Sequence, residues 1–239
     1  MSNKLIVSAA HYAPEYLDAA STTKKVVDAI GIAKKQNSKL VAFPESFLPG
    51  FPIWNAIGKP INNHDFFAKF VENSIRIDGP EIKAISDSAK KNSIIVSVGF
   101  SERVSQSVGC LFNSNIIINE NGEIINHHRK IVPTFFEKLT WSNGDSHGLK
   151  VVDTKIGKIG ALICGENTNP LARYSMIADG EQIHVSSYPP IWPTHSPNAN
   201  DRYDLASAIK IRAGAHSFEG KLFNIVASSI IEENTSEDL

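Results

Sequence analysis

The sequence predicts one α/β domain, spanning residues 1–239, in which helices and sheets stack in layers. Three observations predict it. Short β-rich runs alternate with amphipathic helical runs, some neighbouring strands read as hairpins, and no repeat, low-complexity segment or linker interrupts the 239 residues. Apolar residues make up 42% and charged residues 21%, as in ordinary globular chains.

Each element has a local reason. "KLIVSAAHY" is a β-rich run. In "STTKKVVDAIGIAKKQN", Val26, Ile30 and Ala33 share one helical face, lysines lie elsewhere, and Ser21 is placed to cap the helix. "KLVAFPES" is a strand that Pro44 ends, and "FLPGFPIWNAIGKP" is a loop rich in Pro, Gly and aromatics. "DGPEIKAISDSAKKNS" is a helix with an apolar stripe of Ile82, Ile85 and Ala89. "SIIVSVGFSERV" is almost continuously β-forming, as a strand buried on both faces should be. "LFNSNIIINENGEIINHHRKIVP" gives two strands around an Asn121-Gly122 turn, and "KVVDTKIGKIGALIC" a second pair turning near Gly157. Asn169 caps a helix that starts at Pro170 and stops before Gly180. "QIHVSSYPP" is a strand, "NDRYDLASAIKIRAGAHSFEG" a helix and "KLFNIVASSII" a last strand. The acidic tail "EENTSEDL" reads as a frayed end.

Composition excludes several functions. A formal net charge of -1 offers no basic field to nucleic acid or an anionic membrane. "MSNKLIVSAAH" lacks the long apolar core of a signal peptide, and no apolar run approaches the roughly 20 residues of a membrane-spanning helix. Cys110 and Cys164 make neither a disulfide framework nor a zinc pattern, so the cytosol is the expected compartment.

Three reactive residue types fall at strand ends. Glu45 follows "KLVAF", Lys130 ends "EIINHHRK" and Cys164 ends "IGALIC". Ligands of α/β proteins gather outside the carboxyl ends of strands. Each residue also has a plainer role: core filler for Cys164, a solvated loop acid for Glu45, a solvated basic face for Lys130. Alternation puts His128 on the face of Lys130 and Arg129 on that of His127, so the two adjacent histidines point apart and make a poor metal pair. Cys110 is expected to be structural, and His184 to be a satisfied core histidine.

The motifs "VAFPESFLPGFPIW", "HHRKIVPTFFEKLTWSNGD", "IGALICGENTNPLARY" and "EQIHVSSYPPIWP", in this order, resemble the nitrilase branch of the carbon–nitrogen hydrolases. That resemblance implies a four-layer α-β-β-α sandwich. It implies a catalytic triad of Glu45, Lys130 and Cys164, with Glu137 of "PTFFEK" as a second site glutamate. It implies a substrate pocket lined by Trp54, Tyr188 and Trp192. No metal or other cofactor is implied; the expected partners are a small nitrile and further copies of the chain, as a dimer or higher homo-oligomer. The chemistry it implies is hydrolysis of a nitrile to an acid and ammonia through a cysteine thioimidate and thioester. Lys130 and the helix starting at Pro170 would both favour a thiolate, while apolar surroundings oppose it. The same triad serves amidases and cyanide-converting enzymes, and a non-catalytic fold member is the alternative from another class.

Two departures from the family pattern stand out. Many nitrilases carry an aromatic residue directly after the nucleophile, where this chain has Gly165, which suggests a wider pocket or a different turn. Family members also continue past the strand matching "KLFNIVASSI" with further strands, so missing C-terminal strands are expected to leave a sheet edge open.

Overall fold

The computed structural model describes residues 4–193, 203–232 and 235. Strands β1 (Val7–Ala9), β2 (Leu40–Ala42), β3 (Ile95–Val104), β4 (Ser107–Ile118) and β5 (Ile124–Arg129) form one sheet in that order. Strands β6 (Val152–Thr154), β7 (Gly157–Ile163), β8 (Ile183–Tyr188) and β9 (Phe223–Ser228) form the other. Pairing is parallel from β1 to β3 and from β7 to β9, and antiparallel at the hairpins. The helices are α1 (Ala19–Lys35), α2 (Trp54–Ile57), α3 (His64–Asn73), α4 (Pro80–Asn92), α5 (Pro170–Ala178) and α6 (Leu205–Gly220).

Strand alternation builds the layers. Leu40, Ala42, Ile95 and Ile117 of the first sheet pack against Ile159, Ala161, Val185 and Ala227 of the second. On the outer face of the first sheet, Val41, Val96 and Ile116 meet Val26 and Ile30 of α1 and Ile82 and Ile85 of α4. On the outer face of the second, Leu162 meets Ala172 and Met176 of α5, while Ile163, Cys164 and Tyr188 form a separate cluster with Ile209 of α6. The result is a four-layer α-β-β-α sandwich. Fully burying one such side chain stabilises the fold by roughly 1.5–3 kcal/mol.

Local details depart from the sequence reading in two places. Asp18, not Ser21, caps α1: its Oδ1 accepts a hydrogen bond from Ser21 N at 2.9 Å, leaving Ser21 in the first turn. Helices α2 and α3 lie where the sequence predicts only loop or no element. Packing explains α3, since Phe70 is fully buried beneath an aromatic cluster that local pattern does not reveal. The Asn121-Gly122 turn forms as predicted, with Gly122 at φ 81°. Among the described residues, no helix is long and apolar enough to cross a membrane. The acidic tail beyond Glu232, Thr235 apart, lies outside the described residues.

Candidate active site

Glu45, Lys130, Glu137 and Cys164 meet in the interior, each at most 4% exposed. Lys130 Nζ donates to Glu45 Oε1 at 2.8 Å and to both Glu137 oxygens at 2.9 and 2.7 Å. Cys164 Sγ and one oxygen of each glutamate lie within 4.8 Å of one another. Asn113 Nδ2 donates to Glu45 Oε1 at 2.8 Å, while the backbone carbonyl of Asn113 accepts from Lys130 N at 2.7 Å. One asparagine of β4 thus holds both the Glu45 carboxylate and the Lys130 main chain. Glu45 Oε2 is buried without a hydrogen-bond partner, which leaves it open to a proton.

Several local features put these side chains together. The segment bearing Glu45 crosses directly over Gly99 of β3, where a Cβ would lie 3.0 Å from the Glu45 Cα; only glycine lets the chain pass. Glu137 sits in the turn Phe135–Leu139, and its Oε2 accepts from Thr134 N at 2.9 Å in a capping box. Cys164 ends β7 at φ 47°, a left-handed conformation uncommon outside glycine, and opens the tight turn Cys164–Thr168. Glu166 braces that turn. Its Oε2 accepts from Ile163 N at 2.9 Å and lies 2.8 Å from His128 Nε2, and its Oε1 accepts from Ile131 N at 2.8 Å. One buried carboxylate therefore ties the cysteine turn of the second sheet to the lysine segment of the first.

The electrostatics decide the resting protonation. Burial works against the Lys130 ammonium, but the Glu137 and Glu45 carboxylates overcome it and hold its pKa well above the ordinary value. Burial and then Glu45 push the Cys164 thiol well above its ordinary value, and Lys130 does not reverse this. The resting sulfur is a thiol, so it needs a base at the moment of attack. Helix α5 starts at Pro170 as predicted, and Asn169 Oδ1 accepts from its Leu171 and Ala172 N–H groups at 3.0 and 3.4 Å. Buried beside a basic side chain and a carboxylate, this thiol has the setting of a covalent catalyst.

Residues 6–221 match the carbon–nitrogen hydrolase family. The chain belongs to that family. It is 33% identical over 236 residues to a nitrilase from Penicillium rubens, across 98% of this chain and 71% of the relative. It is 38% identical over 237 residues to an arylacetonitrilase from Aspergillus kawachii, across 98% of this chain and 70% of that protein. Among solved structures it is similar to a mutant amidase from Nesterenkonia sp. AN1 carrying acrylamide on its active-site cysteine, with TM-score 0.71 and 17% identity over 93% of this chain and 77% of that one.

Within this carbon–nitrogen hydrolase the three predicted pocket aromatics occupy different settings. Tyr188 is fully buried and shares an apolar cluster with Ile163 and Cys164. Trp192 stacks on Phe136, the neighbour of Glu137, with ring centroids 4.6 Å apart. Trp54 is enclosed by Phe66, Phe70 and Tyr16, at 5.7, 5.1 and 6.3 Å. A Cβ at Gly165 would lie 2.6 Å from Thr134 Oγ1, so the small residue lets Thr134 pack against the cysteine turn. His127 and Arg129 both bind Glu102 on the far face of β5 while His128 faces the site, as alternation predicts. Asn113 and Glu166 were not foreseeable as site residues. Only the strand register and the fold of the turn bring them in.

Proposed function

We propose that this carbon–nitrogen hydrolase is a nitrilase that converts a nitrile, arylacetonitriles foremost, into the carboxylic acid and ammonia. The observation that carries the reading is the Lys130 ammonium bonded to Glu45 beside the Cys164 sulfur. Glu45 Oε2 takes the thiol proton as sulfur attacks the nitrile carbon and passes it to the nitrogen, giving a thioimidate. Lys130 stabilises the negative charge that develops on nitrogen, and later on oxygen, an effect that can be worth roughly 3–4 kcal/mol for one placed donor. Water activated by Glu45 adds to the thioimidate, and ammonia leaves to give a thioester. A second water releases the acid and restores the thiol. Glu137 holds Lys130 in place throughout. Similarity to an arylacetonitrilase and the Trp192–Phe136 stack support an aromatic substrate.

The same reading includes a cytosolic location, supported by two unpaired cysteines, and self-association. Exposed Leu171 and Tyr174 on α5 and Ile211 and Phe218 on α6 give that outer layer an apolar face suited to a second copy.

Ammonia release from a panel of nitriles, amides and cyanide, with product analysis, tests the activity. Acid and ammonia from arylacetonitriles, lost in Cys164→Ala, is the expected result. Turnover of amides alone makes the chain an amidase, and amide formed from cyanide makes it a cyanide-converting enzyme. A folded wild type as silent as Cys164→Ala removes the enzyme reading.

A further inference from the structure

The left-handed backbone of Cys164 needs a restraint, and the structure supplies one behind the sulfur. Asn167 Nδ2 donates to the carbonyls of Cys164 at 3.1 Å and Leu162 at 3.2 Å. Carbonyls only accept, so the nitrogen of this amide must face them, and its oxygen faces the other way. That oxygen lies 2.9 Å from His184 Nε2 and 2.9 Å from Ser186 Oγ. Ser186 has one proton, and Asn224 Oδ1 also lies 2.9 Å from it. With the Asn167 oxygen turned toward it, His184 Nε2 must donate to Asn167, alongside any proton from Ser186.

The other nitrogen of His184 fixes the proton count. Its Nδ1 lies 2.6 Å from Glu181 Oε1. With Nε2–H given to Asn167, a neutral ring would turn a lone pair toward the carboxylate, so a proton lies in this contact. Glu181 Oε2 lies 3.0 Å from His216 Nε2. Burial would raise the Glu181 carboxyl, but its contacts to His184 and His216 outweigh burial and hold it below the ordinary value. Burial holds the His184 imidazole below its ordinary value, and Glu181 offsets this only in part. The hydrogen-bond count requires one proton shared between Glu181 and the His184 ring. Glu181, His184, His216 and Asn167 are each at most 5% exposed.

A metal fits this cluster poorly. Two ligands about 2 Å from a tetrahedral zinc lie roughly 3.3 Å apart, so the 2.6 Å contact between Glu181 and His184 is that of two groups sharing a proton.

We propose that His184 and Asn167, with Glu181 serving only to orient the His184 ring, form a positioning relay that grips the Cys164 carbonyl and thereby aims its sulfur at Lys130 and Glu45. It rests on reading Cys164 as the nucleophile. The three are positioning residues, since none belongs to the group of side chains around the sulfur.

Two substitutions at one position separate this role from simple packing. Glutamine reaches as far as Nε2 and restores the donor to Asn167, whereas asparagine reaches only as far as Nδ1 and restores the Glu181 contact alone. The measurements are the rate of Cys164 alkylation by iodoacetamide, in a Cys110→Ser background, and kcat and KM on phenylacetonitrile. His184→Gln is expected to stay within about fivefold of the parent in alkylation rate and kcat. His184→Asn and Asn167→Ala are expected to lose at least tenfold in both, with KM within about threefold and melting still cooperative. Equal losses in His184→Gln and His184→Asn, or parental alkylation in Asn167→Ala, overturn the relay. If Asn167→Ala does not fold, the glutamine–asparagine pair decides. If no nitrile is turned over, the nitrilase reading fails while alkylation still judges the relay.

Discussion

Burial raises the Glu137 carboxyl to about 7; Lys130 opposes the rise and Glu45 adds to it. The consequence for stability has a definite sign. Between its ordinary value of 4.5 and about 7, the folded protein holds more of this proton than the unfolded chain does. Stability from this group is therefore greatest at low pH and declines as pH rises through about 7. Glu137→Gln cannot titrate, so the stability of the variant relative to wild type should rise by about 3 kcal/mol from about pH 4 to about pH 8, read by urea unfolding at each pH. A difference that is flat with pH would mean that Glu137 is a plain ion-pair partner of Lys130, ionised throughout. The same residues bear on the proposed catalysis, because Glu45, the carboxyl proposed to take the thiol proton, shares Lys130 with Glu137.

At the scale of elements, the turns position the site, and two contacts control them. Thr134 presses against Gly165 while its N–H holds Glu137, so the cysteine turn and the glutamate turn are packed as one unit. Gly165→Ala should push Thr134 and Glu137 away from Lys130. A drop in kcat of at least tenfold, with about 1–3 kcal/mol lost in urea unfolding, is the expected outcome. Unchanged kinetics would show that the two turns move independently. These couplings mark how far the sequence was legible. Strands β1 to β9 and helices α1, α4, α5 and α6 follow from period, turn residues and caps, because each is decided within its own segment. The convergence of Glu45, Lys130 and Cys164 was visible as three strand ends and through a family resemblance. Phe66 and Phe70 of α3, Asn113 and Glu166 were not, since their roles depend on partners from other parts of the chain.

At the scale of the whole molecule, two sheets face each other and carry the site across their seam, with Lys130 following the last strand of one and Cys164 ending an inner strand of the other. The proposed self-association places a second copy over α5 and α6. Phe218 is 77% exposed there, so Phe218→Glu should shift the chain toward the monomer in analytical ultracentrifugation. A mass unchanged by the substitution places the contact elsewhere. The seam itself is best judged by what becomes attached to the sulfur. Acid-quenched mass spectrometry of the protein mixed with phenylacetonitrile should show an adduct with the mass of the thioimidate or thioester on the peptide containing Cys164, absent in Cys164→Ala. Steady production of acid and ammonia with no adduct on that peptide, undiminished in Cys164→Ala, would contradict covalent catalysis at this cysteine.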